Sequence, residues 1–154
     1  MAGLIRKILF GLVLEDAIVR EENSYRFYEA AQKKVEPEDA LQLLKKLCAA
    51  ELRHRLKLEE LQKTGESEEL EISTQAEIEL FDEKEQPWPE VNSRSTYRDI
   101  LTLALTKEKQ AVAYYQTIAG RISMRRVADV FQLLAREESE HARWVEQMLA
   151  GARQ

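Results

Sequence analysis

The sequence predicts an all-α fold: a four-helix bundle built from two repeated helical hairpins joined by a long crossover. Three observations lead there. The 154 residues include only five Gly and three Pro, whereas Leu, Ala, Glu, Lys and Arg, the strong helix formers, abound. Four segments carry apolar residues near helical spacing, each bounded by helix start or stop residues. The first two of these segments also return in the last two at a fixed offset of 87 positions, the separation of Glu21 and Glu108.

The first predicted helix runs from about residue 4 to 34, with Leu9, Val13, Ala17, Tyr28 and Ala31 on its apolar side. Pro37 ends that stretch and suits the first turn of a second helix, about 37 to 63, which Thr64 and Gly65 close. Ser95 or Thr96 caps a third, about 96 to 119, closed by Gly120. A fourth follows from about 123 to 149, with Gly151 just beyond it. The connection at about 66 to 94 is acidic and carries Pro87 and Pro89 around Trp88. So long a loop argues against a compact domain unless the fold requires it. One arrangement does: in the ferritin-like topology, two short hairpins are linked by a crossover running the length of the bundle. The whole chain, residues 1 to 154, then reads as one domain.

Composition excludes several classes. A net charge of −5 argues against nucleic acid, whose phosphates need a basic face. One Cys rules out an internal disulfide framework and any Cys-based zinc or iron site. Arg6 and Lys7 precede an apolar run, Ile8 to Leu14, but Glu15 and Asp16 stand where a signal peptide needs small residues. That run is too short to span a bilayer. The expectation is a cytoplasmic protein whose apolar N-terminus packs on the bundle or on a second subunit.

The repeat places chemistry at matching positions. Leu14, Ala17, Glu21, Phe27 and Tyr28 fall on Leu101, Ala104, Glu108, Tyr114 and Tyr115; Leu47, Glu51 and His54 fall on Leu134, Glu138 and His141. Glu51-x-x-His54 and Glu138-x-x-His141 each put a carboxylate and an imidazole on one helical face. Glu21 and Glu108 add one carboxylate from each remaining helix. That is the ligand set of carboxylate-bridged di-iron and di-manganese bundles. Hard oxygens suit iron or manganese, imidazole adds a nitrogen to each ion, and four carboxylates offset two divalent charges. About one residue in seven is Glu, so both histidines would have Glu at −3 by chance in only ~2% of such sequences.

Other residues receive lesser roles. Tyr28 and Tyr115 lie two turns beyond Glu21 and Glu108, where a hydroxyl reaches a ligand carboxylate of the opposite repeat, relays an electron, or simply packs. Cys48, matched by Ala135, reads as a small core residue. Glu22, Glu137 and Glu140 read as solvated charges off the ligand face. Trp144, one turn past His141, covers the site.

Taken together, Ala17-x3-Glu21-x5-Phe27-Tyr28 with Glu51-x2-His54, and Ala104-x3-Glu108-x5-Tyr114-Tyr115 with Glu138-x2-His141, resemble the rubrerythrin branch of the ferritin-like superfamily. The resemblance covers the four helices and not the crossover. It implies a non-haem centre of two iron ions, with manganese as the alternative, reducing hydrogen peroxide or oxygen as ferrous iron becomes ferric. Glu51 and Glu138 would bridge the ions, and Glu21 with His54 and Glu108 with His141 would complete them. Rubrerythrins commonly carry a rubredoxin domain; with no Cys pairs here, the expected electron donor is a separate protein such as a rubredoxin. They also place a second Glu one turn after the third-helix ligand, where this chain has Ala111. The resulting symmetric set is similar to the ferroxidase centre of bacterioferritin, so iron oxidation, handling or storage is the alternative function, followed by a metal site of purely structural role. A homodimer or higher homo-oligomer is expected.

Overall fold

A computed structural model describes residues 2–64, 91–122 and 124–151, with side chains from residue 8 onward. Four helices account for almost all of this: α1 (Ala2–Gln32), α2 (Glu38–Thr64), α3 (Tyr97–Arg121) and α4 (Arg125–Gly151). The 27 residues of α2 and of α4 make rods ~40 Å long. α1 packs along α2 and α3 along α4, the two hairpins of the repeat, and α2 faces α4 across the bundle. Most of the predicted crossover, residues 65–90, lies outside the described residues. None of the described helices is long and apolar enough to cross a membrane.

The helix starts follow local chemistry. Between α1 and α2, the Pro37 carbonyl accepts the first helical hydrogen bond of α2, from Leu41 N at 2.9 Å, and Glu38 and Asp39 fill the first turn. Acids there complement the positive end of the helix dipole. Thr96, rather than Ser95, caps α3. Its hydroxyl accepts from Asp99 N at 3.1 Å while Asp99 Oδ2 accepts from Thr96 N at 2.8 Å, closing a capping box.

Two glycines do not act as the expected stops. α3 continues through Gly120 to Arg121 and leaves through Ile122 in extended conformation, with Ile122 N still bonded to Ile118 O at 3.1 Å. α4 likewise includes Gly151 as its last residue. A glycine stop works by adopting a left-handed backbone, and no described glycine does so. Burial of Ile122 (8% exposed) against the core redirects the chain instead.

The core divides into two apolar clusters. One gathers Phe10, Val13, Leu14, Leu58, Tyr115, Ile118, Phe131 and Leu134 among others. The second gathers Tyr28, Val35, Leu43, Leu44, Leu47, Ile100, Leu101 and Val145 among others. Between them, in the middle of all four helices, lies a layer of buried charge.

Candidate metal centre

Burying Glu21, Glu51, His54, Glu108, Glu138 and His141 to between 1% and 4% exposure needs compensation, because an isolated ion in an apolar core costs far more than a domain's net stability. The fold supplies one residue from α1, two from α2, one from α3 and two from α4, all at the same level. The i, i+3 spacing in α2 and α4 turns each carboxylate and imidazole to the same side. The side chains form two overlapping groups: Glu21, Glu51, His54 and Glu138, and Glu51, Glu108, Glu138 and His141. In each group the ligand atoms lie within 4.8 Å of one another, and Glu51 and Glu138 belong to both.

Glu138 sits at the centre. Its Oε1 is 3.0 Å from His54 Nδ1 and its Oε2 is 3.0 Å from His141 Nδ1. The two imidazole rings stack with centroids 5.5 Å apart and 15° between planes. His54 Nδ1 also faces Glu21 Oε2 at 3.6 Å, and His141 Nδ1 faces Glu108 Oε2 at 3.4 Å and Glu51 Oε1 at 3.7 Å. Glu21 Oε2 and Glu51 Oε1 are buried without a hydrogen-bond partner.

The electrostatics are those of a site that holds protons when it holds nothing else. Burial alone would lower the His54 pKa, but the hydrogen bond to Glu138 and the facing Glu21 carboxylate outweigh it and push it up to about 11. His141 follows the same pattern through Glu108 and Glu138 and rises to about 9. Glu138, despite burial, is held well below the usual carboxylate range by His141 and His54. Burial and the neighbouring Glu138 charge raise Glu108 to about 8. Glu51 is likewise raised, first by burial and then by Glu138, Glu21 and Glu108.

Tyr28 and Tyr115 reach across the repeat. The Tyr28 hydroxyl donates to Glu108 Oε1 and the Tyr115 hydroxyl donates to Glu21 Oε1. Both phenols are buried, and burial beside these carboxylates raises their pKa well above 10. Trp144 lies with its ring 5.2 Å from that of His141, and Cys48 is a buried thiol whose pKa burial raises.

Glu137 departs from its expected place as a solvated charge. Its Oε2 lies 2.7 Å from His54 Nε2, because α2 and α4 face each other and the exposed edge of α4 reaches the back of that imidazole. Helical spacing within α4 carries no trace of this contact. Glu22 pairs with Arg26 and Arg55, and Glu140 with Arg143. A second arrangement escaped the sequence: Tyr114 donates to Asp16 Oδ2 at 2.7 Å, under Arg20, whose guanidinium carbon is 4.1 Å from the Tyr114 ring centre.

One cavity opens onto the cluster between α1 and α3. Its volume is about 30 Å³, and Arg20, Glu21, Lys107, Glu108, Ala111 and Tyr115 are among its walls. That is room for about one or two water-sized molecules.

Residues 99–154, which hold Glu108, Glu138 and His141, match the family model described as Rubrerythrin. Among curated proteins and among solved structures, no match was found.

Proposed function

We propose that this chain, rubrerythrin-like over residues 99–154, is a non-haem di-iron protein that reduces hydrogen peroxide or oxygen as ferrous iron becomes ferric. The observation that carries the reading is the membership of Glu51 and Glu138 in both four-residue ligand groups, as two bridging carboxylates require.

The donors fit such ions. Two atoms bound to one cation at ~2.1 Å lie ~3.0 to 4.2 Å from each other. The distances of 3.4, 3.6 and 3.7 Å from the Nδ1 atoms to Glu108, Glu21 and Glu51 fall in that range and are too long for hydrogen bonds. Glu21 Oε2 and Glu51 Oε1, buried and without hydrogen-bond partners, are acceptors that a cation would satisfy. Oxygen and imidazole donors accept manganese as well as iron; the rubrerythrin likeness favours iron.

Glu21 and His54 would hold one ion, Glu108 and His141 the other, with Glu51 and Glu138 between them. When bound, two iron ions supply electrons and a Lewis-acid surface for the oxidant. The protein does the rest. Tyr28 and Tyr115 fix the rotamers of the two terminal carboxylates. The two apolar clusters exclude bulk water from above and below, which strengthens every electrostatic contact between them. The small cavity beside Ala111 has room for a molecule of two heavy atoms next to the carboxylates. Electrons return from a separate donor such as a rubredoxin, in a cytoplasmic homodimer or higher homo-oligomer.

Stopped-flow mixing of the anaerobically loaded ferrous protein with peroxide, and separately with oxygen, tests the reading. Ferric absorbance should grow in at about two irons per chain. A spectrum unchanged by both oxidants would overturn it. Iron counted after aerobic loading separates the alternative, since many ions per chain would mean storage.

A further inference from the structure

The two hairpins match at every ligand, but they differ at the position immediately before the ligand Glu of α2 and α4. Glu137 precedes Glu138, whereas the residue preceding Glu51 is Ala50. Ala50 is buried, at 1% exposure, and a methyl group accepts no hydrogen bond. The Glu137 carboxylate meets His54 at Nε2, 2.7 Å away, on the side of the ring opposite to Nδ1. That Nδ1 faces the cluster, 3.0 Å from Glu138 and 3.6 Å from Glu21. The His141 ring instead has the indole of Trp144 beside it, tilted by 37° with centroids 5.2 Å apart. One imidazole thus has a carboxylate at its Nε2, while the other lies beside an aromatic ring.

We propose that Glu137 is a positioning residue for His54 and makes the two metal positions unequal. The position formed by Glu21, Glu51, His54 and Glu138 binds a divalent cation more tightly than the one formed by Glu51, Glu108, Glu138 and His141. The inference rests on the two-metal reading of the cluster. A carboxylate that accepts the Nε2 proton fixes the tautomer, so the ring lone pair points inward from Nδ1. It also locks the ring against rotation about χ2 and raises its basicity as a ligand. Loss of such an outer partner typically lowers metal affinity 10- to 100-fold. The charge of Glu137 adds to the field felt by the nearer cation, although its side chain is 42% exposed and water screens part of that attraction. No equivalent partner for His141 can come from position 50, the counterpart of Glu137.

Calorimetric titration of the chelator-stripped full chain with Mn2+ tests this without turnover. The wild type should take up two ions in two resolved phases. His54→Ala should abolish the tighter phase and His141→Ala the weaker one. Glu137→Ala should weaken the tighter phase 10- to 100-fold and leave the weaker within about threefold. Glu137→Gln, which keeps an oxygen acceptor, should recover most of the loss. Two ions bound with equal affinity by the wild type, or a Glu137→Ala chain of native helicity that weakens both phases alike or neither, would overturn the inference. Failure of the wild type to bind two ions at all would instead overturn the reading beneath it.

Discussion

The Tyr28 hydroxyl, rooted in one hairpin, donates its hydrogen bond to Glu108 in the other. Tyr115 returns the arrangement by donating to Glu21. Each phenol belongs to a different apolar cluster, Tyr28 to the one with Leu44 and Leu101, Tyr115 to the one with Leu14 and Phe131. The charged layer is therefore tied to the core on both of its sides. The same two bonds join α1 to α3 beside the small cavity between these helices.

Removing either hydroxyl should destabilise the metal-free protein without opening a hole. Tyr28→Phe and Tyr115→Phe each delete a buried hydrogen bond and leave a carboxylate short of a donor, a loss of about 1 to 2 kcal/mol. Urea unfolding in excess chelator, followed by helicity, measures it. Loss below ~0.5 kcal/mol in both variants would mean that the phenols only pack.

A cavity-forming change should cost more. Phe131 is fully buried, with its ring 5.9 Å from that of Tyr115, so it supports the phenol that holds Glu21. Phe131→Ala should cost about 3 to 5 kcal/mol and weaken metal binding at the Glu21 position as Tyr115 loosens. A chain that loses that stability but keeps its metal affinity would show that Tyr115 is held by other neighbours. Melting and Mn2+ titration of the same variant separate the two effects.

The bundle and its six central residues were legible in the sequence because a helical repeat constrains them twice over. Glu51-x-x-His54 and Glu138-x-x-His141 lie each within one helix, where spacing alone decides which face they share. The shared offset then brought Glu21 and Glu108 to the same level. What escaped were contacts between helices with no repeated partner. Glu137 meets His54, and Asp16 meets Tyr114, through packing angles that no periodicity records. In the other repeat these positions are Ala50, Leu103 and Phe27, so comparing the hairpins could flag the differences but not their contacts. Helix ends follow a different rule: Gly120 is a stop signal in the sequence, yet α3 runs one residue past it, to Arg121, and yields at the buried Ile122.

Ala111 should control access for the oxidant. Its methyl lines the cavity of about 30 Å³ beside the carboxylates, so Ala111→Leu should fill that space. If peroxide approaches there, its reaction with the ferrous protein should slow at least about tenfold while bound metal is unchanged. Such a split separates blocked approach from a lost ligand, since Ala111 donates no ligand atom. An unchanged rate in a variant that still binds two ions would place the approach elsewhere.

Metal binding should exchange cations for protons, and its pH dependence has a definite sign. In the metal-free fold His54 and His141 hold protons up to about pH 11 and about pH 9, and Glu108 up to about 8. In the unfolded chain the imidazoles release theirs near 6.5 and the carboxyl near 4.5. Between those limits the folded state binds more protons than the unfolded one, so its stability must fall as pH rises. For each imidazole the contribution is complete below pH 6.5 and lost as pH climbs through about 9 and about 11. For Glu108 the loss spans pH 4.5 to about 8. Glu138, held low by both histidines, acts in the opposite sense and only below pH 4.5. A cation displaces the protons of the imidazoles and carboxyls it binds, which makes binding tighter as pH rises. The melting temperature of chelated protein should therefore drop from pH 6 to pH 9 while that of Mn2+-saturated protein drops less, widening the gap. Titration with Mn2+ at pH 7 in weak buffer should also release about two protons or more per chain. A gap that narrows with pH, or binding that releases no protons, would rule out the exchange.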